Sequence, residues 1–410
     1  MQTENIAKPV QKWFILILGC LTNALVVAVP GISLSVLLPA ITEELNLTLV
    51  QAGLAWGISS LPTILSFIIA GMVIDHHGPR RVLIIMSILA GLLGASRGLS
   101  SSFGLLLVTV ALTGFFNPFI NLSNIKNTSL WFPPKQMGLA NGVISLGMAL
   151  GFFAGSFISA SFIAPWLGGW RNTFFFYGLI SLLFSLPWLF SPKAPASEPS
   201  TQIPTIDQNP KNGLNHVAAI RNVWLLGLAL FCFNGAVQGF LGYIPLYLRN
   251  LGWEAIRADS LAATFHLTSL TFTIPLTILS DRLKTRKGVA IGAASLTTLG
   301  ILSFFLLRGG SLWGAVIAAG LARDGIMAIL ITMTVETKGV GHTYSGIATG
   351  FILVFASLGA LISPPVGNQL SVLLPNLPFV FWGLLCAGAV LCLILLRISP
   401  LSGKVKSVAQ

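Results

Sequence analysis

Twelve apolar runs, each near the ~20 residues needed to cross a hydrocarbon core as helix, leave this chain of 410 residues few folds to choose from. They lie near 13–38, 50–74, 81–99, 104–126, 138–163, 173–191, 222–247, 260–280, 288–307, 312–334, 345–366 and 378–397, six on each side of one hydrophilic stretch. Continuous runs exclude a transmembrane barrel, whose strands alternate sides over about 10 residues. With 54% hydrophobic and 8% charged residues, the chain has too little charge to cover a soluble surface of its size. An all-α membrane protein in a lipid bilayer is predicted.

The order of the runs carries a repeat. GMVIDHHGPRR, with Gly71, Asp75, Gly78, Arg80 and Arg81, fills the break between the second and third runs. About 206 residues later SDRLKTRK, with Asp281, Arg282, Lys284, Arg286 and Lys287, fills the break between the eighth and ninth. Trp13 precedes Asn23 by ten residues, as Trp224 precedes Asn234; Gly114 and Asn117 align with Gly320 and Arg323, and MGLANG at 137–142 resembles SGIATG at 345–350. Such internal duplication predicts two pseudo-symmetric six-helix bundles, residues 1–191 and 219–410. The stretch 192–218 between them is rich in proline, serine and polar residues. It reads as a cytoplasmic linker with too little apolar surface to order itself.

A formal charge of +12 would point to nucleic acid in a soluble protein. Here the basic residues sort by loop instead. With both termini cytoplasmic, seventeen lysines and arginines fall on the inner side and five, Arg97, Arg171, Arg249, Arg257 and Arg308, on the outer, leaving Arg323 within a span. That satisfies the positive-inside rule, so the basic excess is a topology signal and no nucleic-acid partner is expected. The first run is too long for the apolar core of a cleavable signal peptide and reads as a permanent helix. Cys20, Cys232, Cys386 and Cys392 all lie within spans, without metal spacing, and read as packing residues.

On these motifs the chain resembles the major facilitator superfamily over essentially its whole length. Gly71, Asp75, Gly78, Arg80 and Arg81 carry the resemblance, with their echo at Asp281 to Lys287. WFPPKQMGLANG at 131–142, GGWRNTFFFYG at 168–178 and the central linker are similar to bacterial members. Thr277 stands where the second copy of the motif would have glycine, and Gly142, Gly147, Gly151 and Gly155 come without the glycine-proline pair associated with drug and proton antiporters. The resemblance implies a transporter of the bacterial inner membrane working by alternating access. It also implies that Asp75 helps to hold an outward-open state, and that spans one, four, seven and ten surround the pathway.

The gating candidates are Gly71, Asp75, Gly78, Arg80, Arg81, Asp281 and Arg282. Asp75 ends a helix where an arginine or helix N-terminal amides would give it charge-assisted bonds that break and reform as bundles rock. The bland reading of the basic residues is that they are topogenic charges at the lipid headgroups.

Arg323 and Asp324 lie about eleven residues into span ten. A charge near the bilayer midplane costs at least ~2.5–3.5 kcal/mol, so the pair is expected to have a task. In one reading Arg323 holds an anionic substrate with its planar fork, and Asp324 orients it or carries a proton. In the other the pair is an internal ion network pinning span ten. Asn117, Asn121 and Asn124, at i, i+4 and i+7, share one helix face. With Asn23 in span one and Asn234 and Gln238 in span seven they are candidates for a polar cavity, or for interhelical glue. His266 in span eight is a second candidate proton carrier, or a packing residue.

No HExxH, no phosphate-cradling GxxxxGK[ST] and no nucleotide-sized soluble domain is present. The expectation is therefore no enzyme, no cofactor and no metal. The predicted protein is a monomeric carrier of a small organic anion such as a carboxylate, either facilitated and running downhill or secondary active with protons as the coupling ion. The alternatives are proton-driven efflux of an apolar or cationic compound through Asp324, and a non-transporting membrane receptor.

Overall fold

The computed structural model describes residues 9–192, 210–283 and 285–397. Within them twelve helices are long and apolar enough to cross a membrane. They are α1 Val10–Glu44, α2 in two pieces, Leu49–Gly57 and Ser60–His77, α3 Pro79–Leu99, α4 Phe103–Trp131, α5 Met137–Leu167 and α6 Trp170–Phe190. The second half continues with α7 Arg221–Asn250, α8 Ala255–Leu283, α9 Arg286–Leu306, α10 in two pieces, Leu312–Gly320 and Arg323–Val335, α11 Gly341–Leu370 and α12 Leu377–Leu395.

Local sequence explains the breaks. Thr48 and Gln51 cap the start of α2 reciprocally, and Ser102 accepts from the Leu105 amide at the start of α4. Gly78 has φ +80°, which L side chains rarely adopt, and Pro79 then opens α3. The expected linker differs from its reading: residues 193–209 lie outside the described part, but Pro210–Ala218 form a helix. Val217 is fully buried there, and the His216 ring stacks on Tyr344 and bonds the Gly339 carbonyl. The stacked ring and the carbonyl bond tie this short helix to α11 and the turn before it.

Six helices from each half make a bundle, and the two sets of contacts correspond. In the first, α1 packs on α5, α2 on α4, α3 on α4 and α6; in the second, α7 packs on α11, α8 on α10, α9 on α10 and α12. Large apolar side chains such as Leu65, Phe190 and Leu306 point outward, as lipid as the outer solvent requires. The bundles meet where α1 faces α7, α2 faces α11 and α5 faces α8.

Two glycines show the pseudo-symmetry at atomic level. A Cβ added at Gly114 on α4 would fall on the Ser59 carbonyl of α2, and one at Gly320 on α10 would fall on the Phe265 carbonyl of α8. The pairs are related by the offset of 206, and small residues are what lets membrane helices approach this closely. Gly114→Ala or Gly320→Ala is expected to cost about 1–3 kcal/mol through overpacking. Thermal unfolding in detergent checks this; an unchanged melting temperature in both variants would refute the close crossing.

Candidate functional site

Among the described residues, the hydrogen bonds between the bundles gather at one end. With twelve spans the start of α1 and the end of α12 lie on one face, here the termini face, together with the turns at 78 and 285. Among the described residues four hydrogen bonds cross between bundles, and all lie toward the opposite face. Ser35 donates to the Leu241 carbonyl (2.6 Å), Trp56 to that of Gln238 (2.8 Å), Asn368 to that of Leu49 (2.8 Å), and Ser161 to the Asp259 carboxylate (2.6 Å). Glycines make the closure possible: an added Cβ would stand 2.8 Å from the Pro364 backbone at Gly53 and 2.9 Å from the Ala360 carbonyl at Gly57. Toward the termini face, a Cβ added at Gly71, Gly138, Gly142, Gly346 or Gly350 would meet nothing within 4 Å among the described residues.

Where the closed half ends, α10 is broken at Leu321 and Ala322 and restarts at Arg323. The break separates the roles of the charged pair. Ser269 on α8 donates to Asp324 Oδ2 at 2.7 Å and accepts the Asp324 amide at 3.2 Å, so one hydroxyl serves both the carboxylate and a backbone group freed by the break. Arg323 places its guanidinium over the Phe152 ring of α5, in the other bundle, 5.2 Å from the centroid. Among the described residues its one ion pair is Nη1 to Asp324 Oδ1 at 3.3 Å. The Arg323 side chain keeps 21% of its surface open and Asp324 39%. Phe152 also lies tilted against His266, with ring centroids 5.4 Å apart, so Arg323, Phe152 and His266 meet at the bundle interface.

His266 is 2% exposed, lies between Phe152 and Phe265, and neither ring nitrogen has a partner among the described residues. The expected amide cage is divided. Asn23, 1% exposed, begins a π-helical turn of α1 and bonds Asn121 (3.5 Å), Asn124 (2.8 Å) and the Ile144 carbonyl (3.4 Å). It braces α1 against α4 and α5, the interhelical role that was the alternative to a cavity position. Asn234 is likewise spent, donating to the Ala356 carbonyl at 2.9 Å. Asn117 and Gln238 are half-buried and their side chains make no hydrogen bond among the described residues, while Asn121 keeps a half-exposed edge.

The gating motif stays inside its own bundle. Asp75 pairs with Lys126 of α4, where an arginine or helix amides had been expected. Arg80 caps the end of α6 through the Trp188 and Leu189 carbonyls (3.2 and 2.6 Å) and Ser191, and Lys287 caps α12 through Ile394 and Leu396. Arg286 bridges Asp281 (3.5 Å) and Glu336 (3.1 Å). Arg81 and Arg282 are exposed, and Lys284 lies outside the described residues. Arg97, read as an outer topogenic charge, is instead 3% exposed, donating to Pro30 and Gly94 carbonyls over the Phe174 ring.

Sequence reasoning missed Phe152, Ser269 and Lys126. Ser269 had a signal: the offset of 206 pairs it with Thr63, which donates to the Gly114 carbonyl of α4 as Ser269 bonds α10. Phe152 had none, since one phenylalanine among 27 carries no mark in a span.

The sequence model of the Major Facilitator Superfamily matches residues 14–352. The probable sulfoacetate transporter SauU of Cupriavidus necator is 25% identical over 362 residues, covering 83% of each chain. The hexuronate transporter of Bacillus subtilis is 25% identical over 232 residues, 55% of this chain and 54% of that one. A probable nitrate/nitrite transporter of Mycobacterium tuberculosis, NarK2, is 22% identical over 343 residues, 79% and 80% of the two chains. Among solved structures, a bacterial homologue of the lysosomal transporter Spinster, inward-facing and unoccupied, superposes with TM-score 0.76 at 17% identity, covering 94% of this chain and 93% of that one.

Proposed function

We propose that this chain, which belongs to the Major Facilitator Superfamily of membrane transporters, carries a small organic anion across the bacterial cytoplasmic membrane by alternating access. Membership makes it a transporter with a small-molecule substrate and not an enzyme. The anion is our reading, and the observation that carries it is the guanidinium of Arg323 at the meeting of the bundles. Its neighbour Asp324 is drawn to α8 by Ser269, leaving much of the Arg323 fork to a ligand. A guanidinium in a low-dielectric site binds carboxylate or sulfonate bidentately. The named cargoes of the relatives, sulfoacetate, hexuronate and nitrate or nitrite, are all anions, which supports the same reading.

Seventeen basic residues against five argue for cytoplasmic termini. On that orientation the closed end faces outward and the protein stands inward-facing. Asn117, Asn121 and Gln238 are the polar groups that would complete the ligand's shell. Asp324 and His266 are the titratable groups beside Arg323 at which a coupled proton would ride. Asp75 with Lys126, and Arg286 with Asp281 and Glu336, are ties that rearrange when the inner ends close.

A thermal-shift screen of purified protein tests the reading. Sulfoacetate and galacturonate should raise the melting temperature, and glucose and tetraphenylphosphonium should not. Stabilisation by the cation alone would make Asp324 the binding group and the protein an exporter of cations.

A further inference from the structure

The two bundles differ at one level of their cores. The offset that pairs Asp75 with Asp281 also pairs Ile74 with Ser280, Trp131 with Thr337 and Phe132 with Lys338. In the first bundle Ile74, Trp131 and Phe132 are buried and fill the interior near the termini face. Their counterparts are small or polar, and all three line a cavity of about 580 Å³, a size typical of small-ligand sites. Among the described residues the walls come from α7, α8, α9 and the ends of α10 and α12, with none from α11 or from the first bundle. The cavity is thus separate from the Arg323 site.

Its lining is suited to an anion with an apolar group. Arg286, Lys287, Lys338 and Arg397 stand against two carboxylates, Asp281 and Glu336. Leu226, Ile291, Met333 and Leu396 supply the apolar wall. Ser280, 2% exposed, has a hydroxyl without a partner among the described residues. A buried hydroxyl in that condition is costly until a ligand or water takes it. We infer that this cavity is a second binding site, off the transport path, for a small anion of phosphate or carboxylate type carrying an apolar group.

Occupancy would act through Arg286. That side chain ties the end of α8 to the end of α10 through Asp281 and Glu336, and a ligand anion competes with both carboxylates for it. The site therefore regulates the rearrangement of the termini-face ends. On the orientation proposed above, its ligand comes from the cytosol or is the headgroup of an inner-leaflet anionic lipid.

Phenyl phosphate, titrated calorimetrically into detergent-purified protein, tests the soluble source. Mass spectrometry of protein released from phosphatidylglycerol nanodiscs tests the lipid. The expected result is one bound phenyl phosphate or one retained lipid, and whichever is held identifies the source. Lys338→Gln with Arg397→Gln should weaken it about tenfold or more, as lost charge-assisted contacts do. Thr337→Trp with Lys338→Phe, which restores the filling of the first bundle, should abolish it. Arg323→Gln should leave it intact. Should the filled variant not fold, the charge variant decides alone. Retention of neither ligand, or binding lost in Arg323→Gln but kept in the cavity variants, would overturn the proposal.

Discussion

Arg323→Gln is expected to weaken binding of a carboxylate such as sulfoacetate by about 30-fold or more while the protein still folds. Removing one partner of a desolvated, hydrogen-bonded charge pair costs about 2–5 kcal/mol, and ~2 kcal/mol is already some 30-fold. The fold should survive because the contacts of Arg323 are with the Phe152 ring and with Asp324, which keeps its own bonds to Ser269. Arg323→Lys keeps the charge but not the fork, so it should retain part of the affinity. Calorimetric titration beside a thermal melt separates the outcomes. Full affinity in a folded Arg323→Gln protein would return the pair to a purely structural network.

Gly53→Val should nearly abolish transport by a different route, holding the protein outward-open. At Gly53 the added carbon would stand 2.8 Å from backbone atoms of Pro364 and from Pro365 Cα, and backbone does not yield as a flexible side chain does. Overpacking of this kind costs about 1–3 kcal/mol. Because it arises only when the α2 and α11 ends meet, it is charged against one conformation and shifts the equilibrium by roughly 5- to 150-fold. Spin labels at Ser101 and Val372, each on an exposed loop of a different bundle, should report a longer separation in the variant. An unchanged distance would mean that this seam does not control closure.

The spans and the duplication were legible because lipid imposes length and polarity on every crossing segment, whatever its partners. Gly114 and Gly320 marked the duplication by their shared offset, but the close crossings they permit with α2 and α8 emerged only in the structure. What periodicity could not settle was where equivalent polar groups spend their hydrogen bonds. Asn23, Asn121 and Asn124 share a stripe that suits a cavity, yet Asn23 and Asn124 satisfy each other. The division of labour between Arg323 and Asp324 depends on Ser269, a residue 55 positions away whose hydroxyl sequence alone could not aim. The helix at 210–218 was hidden because its order comes from Tyr344 and Gly339 and not from its own composition.

Uptake of radiolabelled sulfoacetate into proteoliposomes decides whether the protein carries an anion on Arg323. Saturable uptake is expected in the wild type, competed by other small carboxylates but not by cations, and lost in Arg323→Gln. Asp324→Asn should still bind the anion. Flux of cations or apolar compounds alone, abolished in Asp324→Asn and indifferent to Arg323→Gln, would contradict it.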